Sequence, residues 1–486
     1  MIGKIKYVLI LTLTFVLIDT SAQNSQVMFF MNLPQSHLFN PALRPSNSVY
    51  IGLPVVSGIN LNINNNFVNF SDVFIKGQLK DSIITFLHPD YNVDKFLARI
   101  KDKNSIEPEV AVQLLGVGFS VGKDGYIFLD INDRIDGNVV LPGDLFKLAL
   151  KGNEEFVGTR INLSSLRGDL KYYREVGLGY SRNITDKLRI GIKGKLLFGI
   201  AGVSIDNRSL GIDVNNDFSH TMDADLMVNI SGPVNIHKDT ENNIDSIGFD
   251  DSKIKTANFL SGNKNMGMGL DFGATYDISD RLKVYASITD LGFIRWKNNV
   301  TNLKAKNQFL FSGISMVNVL NGTMTIDSVA NLMLDSLKNA FKVSDSKNPF
   351  TTRLPFSVTL GGSYNVTQQF SIGLLSYSKV IGNQIHEALT LSANINLGNA
   401  FSTSVSYTAE NYQYDNLGAG LAFRAGITQF YLVTDRIPII WNKIINDKST
   451  FPLPENWQTF NLRLGMNLVF GNRPREKSDK PMIQVQ

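Results

Sequence analysis

The chain of 486 residues contains no cysteine. Disulfide bonds are therefore excluded, and so is the acylated cysteine that anchors exported lipoproteins. Histidine is scarce as well, and the five histidines do not follow the spacing of metal ligands: His37, His88, His220, His237 and His386. We therefore expect no metal site, no cofactor, and a surface or loop position for each histidine.

Charge is also sparse in this sequence. Charged residues make up 19% of the chain, the formal net charge is +4, and the basic residues are scattered. A nucleic-acid-binding surface needs a concentrated basic patch, so this class of partner is excluded.

The first residues carry an apolar run from Tyr7 to Ile18 that is too short to span a bilayer comfortably. Two lysines precede the run, and the small residues Thr20 and Ala22 follow it. This pattern predicts a secretory signal peptide over residues 1–22, cleaved after Ala22. An uncleaved anchor is the alternative, but the polar residues that follow Ala22 at once favour cleavage.

Most of the remaining chain alternates between apolar and polar residues. From Met266 to Trp296 two such runs flank a polar turn at Ser279, and the pattern recurs at Val176–Phe198 and Phe356–Leu374. A side-chain period of two is typical of β-strands, so these segments are predicted to be β-hairpins. The 39 glycines, with only 15 prolines, agree with an all-β protein.

The two faces of the predicted strands have different compositions. Ala388–Leu397 alternates aliphatic residues with Thr, Ser and Asn, and Phe460–Phe470 repeats this pattern. A β-sandwich also has one apolar face per strand, so alternation alone leaves both folds open. Export, strands near ten residues, aromatics toward strand ends, and alternating short and long connections favour a transmembrane antiparallel β-barrel. Its expected location is the lipid of a Gram-negative outer membrane.

The predicted organisation has four parts. After the signal peptide, residues 23–105 form an N-terminal segment of strands with a plug helix within Asp81–Ile100. Residues 106–470 form the wall, with long extracellular loops at 231–262 and 298–349, the second holding an amphipathic helix near Ser328–Phe341. Residues 471–486 form a polar periplasmic tail.

The expected number of wall strands is 14 to 16. We count about thirteen strands from Leu170 onward, and an even barrel needs one or three more. Fourteen follows if N-terminal strands lie inside as a plug, and sixteen follows if the hairpin at Asp124 joins the wall.

Six charged residues lie on the polar face of the predicted strands. On the lipid face a Lys or Arg at mid-membrane would cost roughly 2 to 4 kcal/mol, so we place all six in the lumen. The candidate lumen residues are Glu175, Lys193, Lys195, Asp271, Lys283 and Arg463. They would form either a polar path for a solute or a salt-bridge network that fills the lumen or holds a plug. Opposite charges on neighbouring strands favour the network.

Five segments of the chain resemble an uncharacterised outer-membrane barrel family, a domain of unknown function. They are Phe39-Asn40-Pro41-Ala42, Arg174–Tyr180, Asp290–Trp296, Thr352-Arg353-Leu354-Pro355 and Tyr431–Asp435. The chain is more distantly similar to fatty-acid-transporter-type barrels and to accessory barrels of the type IX secretion and gliding machinery. The resemblance implies a fold and a location and supplies no catalytic residue.

Three functions remain open from the sequence. The first is transport or binding of a small molecule, hydrophobic ones included, through an occluded lumen. The second is an accessory or anchoring barrel that holds a protein partner of a secretion or surface machinery. The third, an outer-membrane enzyme, is disfavoured because His386 alone of the histidines lies next to a predicted barrel strand, and serines are abundant enough to neighbour it by chance.

The location can be tested by cell fractionation with N-terminal sequencing. We expect the mature chain to begin at Gln23 and to be recovered with the outer membrane, because the signal peptide exports it and the strand faces suit lipid. Recovery from the soluble periplasm would contradict the barrel and leave a β-sandwich.

Overall fold

A computed structural model describes most of residues 26–471. The gaps are residues 32, 77–82, 86–87, 89–90, 218, 239–243, 250–264, 312–342, 383, 399, 411–412, 439–440, 447–448 and 455–457. The predicted signal peptide, the helix predicted near Ser328–Phe341 and the tail after residue 471 lie outside the described residues.

Fourteen antiparallel strands form a closed barrel. The first wall strand, β1, is interrupted, and consists of Val49–Gly52 and Ile59–Asn65. It pairs on one side with β2 and on the other with β14, which closes the sheet. The other wall strands, in chain order, are β2 Lys103–Val121, β3 Gly125–Pro142, β4 Arg167–Asn183, β5 Leu188–Val214, β6 Met266–Asp277, β7 Leu282–Trp296, β8 Phe356–Asn365, β9 Phe370–Ile381, β10 Gln384–Leu397, β11 Phe401–Glu410, β12 Gln413–Ala425, β13 Thr428–Ile437 and β14 Phe460–Phe470.

The burial pattern is that of a membrane barrel. On β10 the polar side chains of Thr390 and Asn394 are buried, whereas Leu391 and Ile395 are 53% and 40% exposed. The same inversion holds on β14, where Arg463 and Asn467 are buried. An apolar outer face is stable only in contact with hydrocarbon, and the polar face must then line the interior. The predicted transmembrane β-barrel is confirmed.

The fourteen wall strands are distributed along the chain differently from the strands counted in the sequence. Only eleven wall strands follow residue 166, and the hairpin at Asp124 and the strand at Val49–Asn65 supply the other three. The wall therefore begins at Val49 and not at residue 106. Two further strands of the same sheet, His220–Ser231 and Val300–Phe311, extend it beyond the barrel and are not part of the wall.

The two ends of the barrel differ. Connections of two to four residues join β2 to β3, β4 to β5, β6 to β7, β8 to β9, β10 to β11 and β12 to β13, all at one end, the short-turn end. Gly122 and Gly426 have φ of 60° and 62° in two of these turns, a conformation that glycine adopts without strain. The opposite end, the loop end, carries the long insertions.

Several strands continue past the membrane at the loop end. A membrane-spanning strand needs about 9–11 residues, whereas β5 has 27. The second half of β5 pairs with the insertion strand His220–Ser231, and that strand pairs in turn with Val300–Phe311. Other strands outside the wall are Thr159–Asn162, Val234–Lys238, Ile244–Phe249, Ser344–Ser346, Phe350–Arg353, Trp441–Asn446 and Ser449–Pro454, with Phe74–Lys76 and Ile83–Thr85 between β1 and β2. The long loop predicted at 231–262 thus contains a hairpin formed by Val234–Lys238 and Ile244–Phe249.

Helices are few and short. They are the 3-10 turns Gln26–Phe30, Pro34–Leu38 and Glu154–Phe156 and the α-helices Phe70–Val73, Val93–Leu97 and Gly143–Lys151. The expected plug helix corresponds to Val93–Leu97. Its Phe96 packs against Phe146 of the helix that follows β3 at the loop end. Within the described residues, no helix is long and apolar enough to cross a membrane.

Residues 26–42 plug the lumen in place of the expected helix. Val27, Met28 and Leu33 are fully buried, and the wall faces this segment with glycines. A Cβ on Gly191 or Gly273 would collide with the backbone or side chains of the Asn40–Pro41 segment. This close fit gives the Phe39-Asn40-Pro41-Ala42 segment a structural role.

Closure of the barrel predicts a specific cross-link. Leu61 of β1 lies opposite Leu462 of β14, so the pair Leu61→Cys and Leu462→Cys should be bridged by oxidation or by a short thiol cross-linker in the otherwise cysteine-free chain. The control pair, Leu61→Cys with Leu432→Cys on β13, is separated by β14 and should not be bridged. Gel mobility reports the result, and equal cross-linking of both pairs would contradict the closure.

Candidate site in the barrel lumen

Four of the predicted lumen residues form one ion-pair cluster. The side chains of Lys193 and Lys195 share a face of β5 because they are two residues apart. Their Nζ atoms lie 2.9 Å from Glu175 Oε1 on β4 and 2.8 Å from Asp271 Oδ2 on β6, respectively. All four residues are buried. Neighbouring strands thus supply alternating charges, which a polar interior requires because a buried charge is stable only when it is paired.

Two acids that the sequence analysis missed complete this cluster. Asp130 of β3 lies 3.3 Å from Lys193, and Asp290 of β7 lies 2.6 Å from Lys195. Asp290 has a φ of 63°, and its backbone N–H donates to Asp271 Oδ1 at 2.7 Å. At this irregularity the inward positions of β7 change from odd to even numbers, so a strict period of two could not place Asp290 in the lumen.

Arg134 of β3 connects two acids of the cluster, Asp290 and Glu175, with Asp136 on its own strand. Its guanidinium lies 3.0 Å from Asp290, 3.2 Å from Glu175 and 3.6 Å from Asp136. Asp133 interrupts the apolar alternation of β3 after Ile131, but the strand continues to Pro142. The signal that could have found these residues is the continued alternation of polar side chains at positions 130, 132, 134 and 136.

The other two predicted residues lie apart from the cluster. Lys283 is near the short-turn end, 3.4 Å from Asp277, and its side chain is 23% exposed. Arg463 is 7% exposed. Its Nε donates to Asn60 Oδ1 at 3.3 Å, and its guanidinium lies over the Phe39 ring, 5.1 Å from the centroid.

The plug is bound to the wall by buried polar contacts. His37 Nε2 lies 2.8 Å from Asp130 Oδ2, and both side chains are fully buried. The Gln35 amide donates to Asn467 Oδ1 at 2.6 Å, and the Val27 N–H donates to Asp435 Oδ1 at 3.0 Å. The expectation that His37 lies on the surface is wrong, because residues 26–42 fold into the barrel. Its partner Asp130 also contacts Lys193, so the plug and the charge cluster form one network.

Two contacts between a basic and an acidic side chain cross the lumen near the loop end. Lys379 Nζ of β9 lies 3.0 Å from Glu109 Oε2 of β2, and His386 Nδ1 of β10 lies 3.5 Å from Glu107 Oε1 of β2. Neither β9 nor β10 is a neighbour of β2 in the wall, so these contacts join opposite sides of the barrel. We call these two pairs the cross-lumen bridge. His386 is buried and is not the surface residue that the sequence suggested.

A cavity of about 80 Å³ lies between the plug and the cross-lumen bridge. A cavity needs about 10 to 15 Å³ to hold a water molecule, so this one has room for several waters or for a small solute group. Its lining combines aromatic rings with charged and amide side chains: Gln35, Leu38, Phe39, Asn60, Glu109, Gln113, Asn132, Arg134, Glu175, Lys195, Asp290, Tyr377, Tyr431 and Arg463 among others.

A larger recess of about 850 Å³ opens at the loop end. It is lined by the ends of β3, β4 and β9, including Val140, Arg167 and Ile381, and we call it the vestibule. In the part of the chain that the structure describes, no three His, Asp or Glu side chains are placed to hold a metal ion.

The charge cluster predicts that the loss of Lys193 destabilises the protein more than the loss of Lys283, which lies outside the cluster. Lys193→Met removes the cation between two buried carboxylates, so the free energy of unfolding should fall by about 3 to 5 kcal/mol. The control Lys283→Met removes a partly exposed amine and should lower it by less than about 1 kcal/mol. Urea unfolding in lipid or detergent measures both. Equal effects of the two substitutions would contradict a network centred on Lys193.

Comparison with known proteins identifies a family. A family model described as "Family of unknown function (DUF5723)" matches residues 41–435. Among solved structures, the chain is similar to a Pseudomonas aeruginosa FadL homologue, with 11% identity, a TM-score of 0.40 and coverage of 93% of this chain and 97% of that one. A search of curated proteins finds no match.

Two toluene transporters show a similar degree of likeness. For TodX of P. putida the identity is 10%, the TM-score is 0.41, and the coverage is 93% of this chain and 99% of that one. For TbuX of Ralstonia pickettii the identity is 10%, the TM-score is 0.40, and the coverage is 92% and 98%. The family resemblance inferred from the five sequence segments is confirmed. Because the family model spans most of the chain, this protein belongs to the family of unknown function DUF5723.

Proposed function

We propose that the protein binds a small molecule and passes it through an occluded lumen in the outer membrane of a Gram-negative bacterium. The observation that carries this proposal is the order of spaces along the barrel axis. A wide vestibule opens at the loop end, and the smaller cavity is lined by Glu109 of the cross-lumen bridge on one side and by Gln35 and Phe39 of the plug on the other. Export by the predicted signal peptide and a loop end that faces the exterior are parts of the proposal.

The two barriers differ in strength. The cross-lumen bridge consists of two pairs of side chains, Lys379 with Glu109 and His386 with Glu107, which rotamer changes can separate. The plug is held by many buried contacts, among them those of His37 and Gln35. A solute in the vestibule therefore meets the weaker barrier first. Entry into the cavity is the easier step, and passage beyond it requires movement of the plug.

The lining of the cavity favours a solute with both a polar and an apolar part. Charged side chains such as Arg134 and Lys195 face the same space as the rings of Phe39, Tyr377 and Tyr431. A purely hydrophobic molecule would cover the polar groups of this lining without forming hydrogen bonds to them. We expect no enzymatic activity, and we assign His386 a structural role opposite Glu107.

A role as an accessory barrel is the second candidate, and the insertion strands support it. The extended half of β5 and the strands His220–Ser231 and Val300–Phe311 form a sheet outside the membrane span. A sheet of this size beyond the membrane is a suitable surface for a protein partner.

The proposed function predicts that opening the cross-lumen bridge increases permeation. Glu109→Gln combined with Lys379→Gln removes the Lys379–Glu109 pair of the bridge without leaving either of its charges unpaired. The wild-type protein in planar bilayers should show little or no steady conductance, and the double variant should show more frequent openings. The matched control, Asp225→Asn with Lys306→Gln, removes an exposed pair between the insertion strands and should behave as the wild type.

Two outcomes would change the proposal. A large constant conductance of the wild-type protein would contradict an occluded lumen. No conductance of any variant, together with a protein partner that remains bound during purification, would favour the accessory role.

A further inference from the structure

Arg463 differs from the other buried cations of the lumen. Lys193, Lys195, Arg134 and Lys379 each have a carboxylate oxygen within 3.0 Å. Arg463 is buried to a similar degree but forms no ion pair with any described residue. A buried guanidinium without an anion is unfavourable, because its desolvation is not offset by a partner.

The contacts of Arg463 leave most of its donors unused. Its Nε donates to Asn60 Oδ1 at 3.3 Å, and Nη1 lies 4.0 Å from Met28 Sδ. A guanidinium has five N–H donors, and a thioether is a weak acceptor. Within the described residues the terminal nitrogens therefore have no strong acceptor.

Asn60 adds a second unused donor at the same place. Its Nδ2 is buried and has no hydrogen-bond partner in the described part of the chain, whereas its Oδ1 accepts from Arg463. Both residues line the cavity between the plug and the cross-lumen bridge. Buried donors without acceptors are rare in folded proteins, and a bound ligand is one physical explanation for them.

Aromatic rings surround these donors. The Phe39 ring lies under the guanidinium, and Tyr377 and Tyr431 line the same cavity. The hydroxyl group of Tyr431 already donates to Ser57 O at 2.8 Å, and that of Tyr377 is 2.7 Å from Ser357 Oγ. Their rings therefore offer apolar surface, while the polar interaction is left to Arg463 and Asn60.

We propose that this cavity binds a small organic carboxylate, whose oxygens pair with the Arg463 guanidinium and the Asn60 amide. Two parallel N–H···O bonds between guanidinium and carboxylate are shorter and stronger than neutral hydrogen bonds. The apolar part of the ligand lies against Phe39 and Tyr431. This inference rests on the proposed function and names the class of solute.

The charges around the cavity select against other ligands. Glu175, Asp290 and Glu109 also line it, but each is already paired with an internal lysine or arginine, so a cation would have to displace a fixed partner. A phosphate dianion has twice the charge of a carboxylate, so these same acids would repel it more strongly. A monoanion that meets one unpaired guanidinium fits best.

Calorimetric titration of the purified mature chain in detergent tests the assignment. The probe is butanoate, and its neutral counterpart butanamide tests the need for charge. We expect the wild-type protein to bind butanoate and not butanamide. Arg463→Gln should weaken butanoate binding about tenfold or more, because it removes a charge-assisted pair. Arg463→Lys should bind with intermediate affinity, because it keeps the charge but not the two-bond geometry.

Lys283→Gln is the matched control, since it removes a lumenal cation that does not line the cavity. It should bind butanoate as the wild type does. Heat-dependent gel mobility checks that every variant is folded. If Arg463→Gln fails to fold, Asn60→Ala replaces it, and it should also weaken butanoate binding.

Several results would overturn the carboxylate site. They are equal binding of butanamide, unchanged affinity in folded Arg463→Gln, tighter binding of inorganic phosphate than of butanoate, and no butanoate binding at all. The bilayer conductance of the bridge variant is measured without butanoate and with Arg463 intact. If that variant conducts while butanoate does not bind, the proposed function stands and the ligand assignment fails.

Discussion

Closure of the sheet between β1 and β14 is the constraint on which the rest of this structure depends. In hydrocarbon no water is present to bond a free backbone N–H or C=O group, so a sheet can span the membrane only when its first and last strands pair. Here Ile59–Ile63 and Phe460–Leu464 form that seam. A closed ring of fourteen strands encloses an interior wide enough to need filling. The plug, the charge cluster and the cavity are all consequences of that space.

Filling the interior with charge is stable only if the charges are matched. Lys193 lies between Glu175 and Asp130, and Asp130 also receives His37 from the plug. The network therefore does two things at once, since it neutralises the wall and positions residues 26–42. Replacement of these groups by apolar side chains of similar volume could be equally stable in a soluble protein. In this barrel the polar contacts also determine which part of the chain enters the lumen, because His37 of the plug pairs with Asp130 of β3.

The fold could be predicted from the sequence because the period of two is a direct consequence of strand geometry. Glu175, Lys193, Lys195 and Asp271 were placed on one face by that rule alone, and the structure brings them into contact. The period of two gives the wrong face where the strand is irregular. Asp290 follows an irregularity that exchanges the two faces of β7, and no composition signal marks it.

Strand ends were harder to predict than strand centres. After Ile131 the outward face of β3 carries Asp133 and Gly137 between apolar residues, so the apolar alternation that identifies a strand is interrupted. The insertion strands His220–Ser231 and Val300–Phe311 belong to the same sheet without being part of the wall. The plug was missed because 3-10 turns have no amphipathic period, although glycines on the polar face of wall strands, such as Gly191 and Gly273, indicate where another backbone approaches.

The unequal closure of the two ends of the cavity follows from the different origins of the barriers. The cross-lumen bridge joins β2 to β9 and β10 through side chains alone, and each of its two contacts can break independently. The plug is joined to β1 by residues 43–48, and β1 pairs with β14 from Val49 onward at the seam that closes the barrel. A solute could therefore be admitted by local side-chain motion, whereas its release toward the short-turn end depends on rearrangement of the segment that carries Phe39. Because the Phe39 ring contacts the Arg463 guanidinium, an anion bound at Arg463 would act directly on that segment.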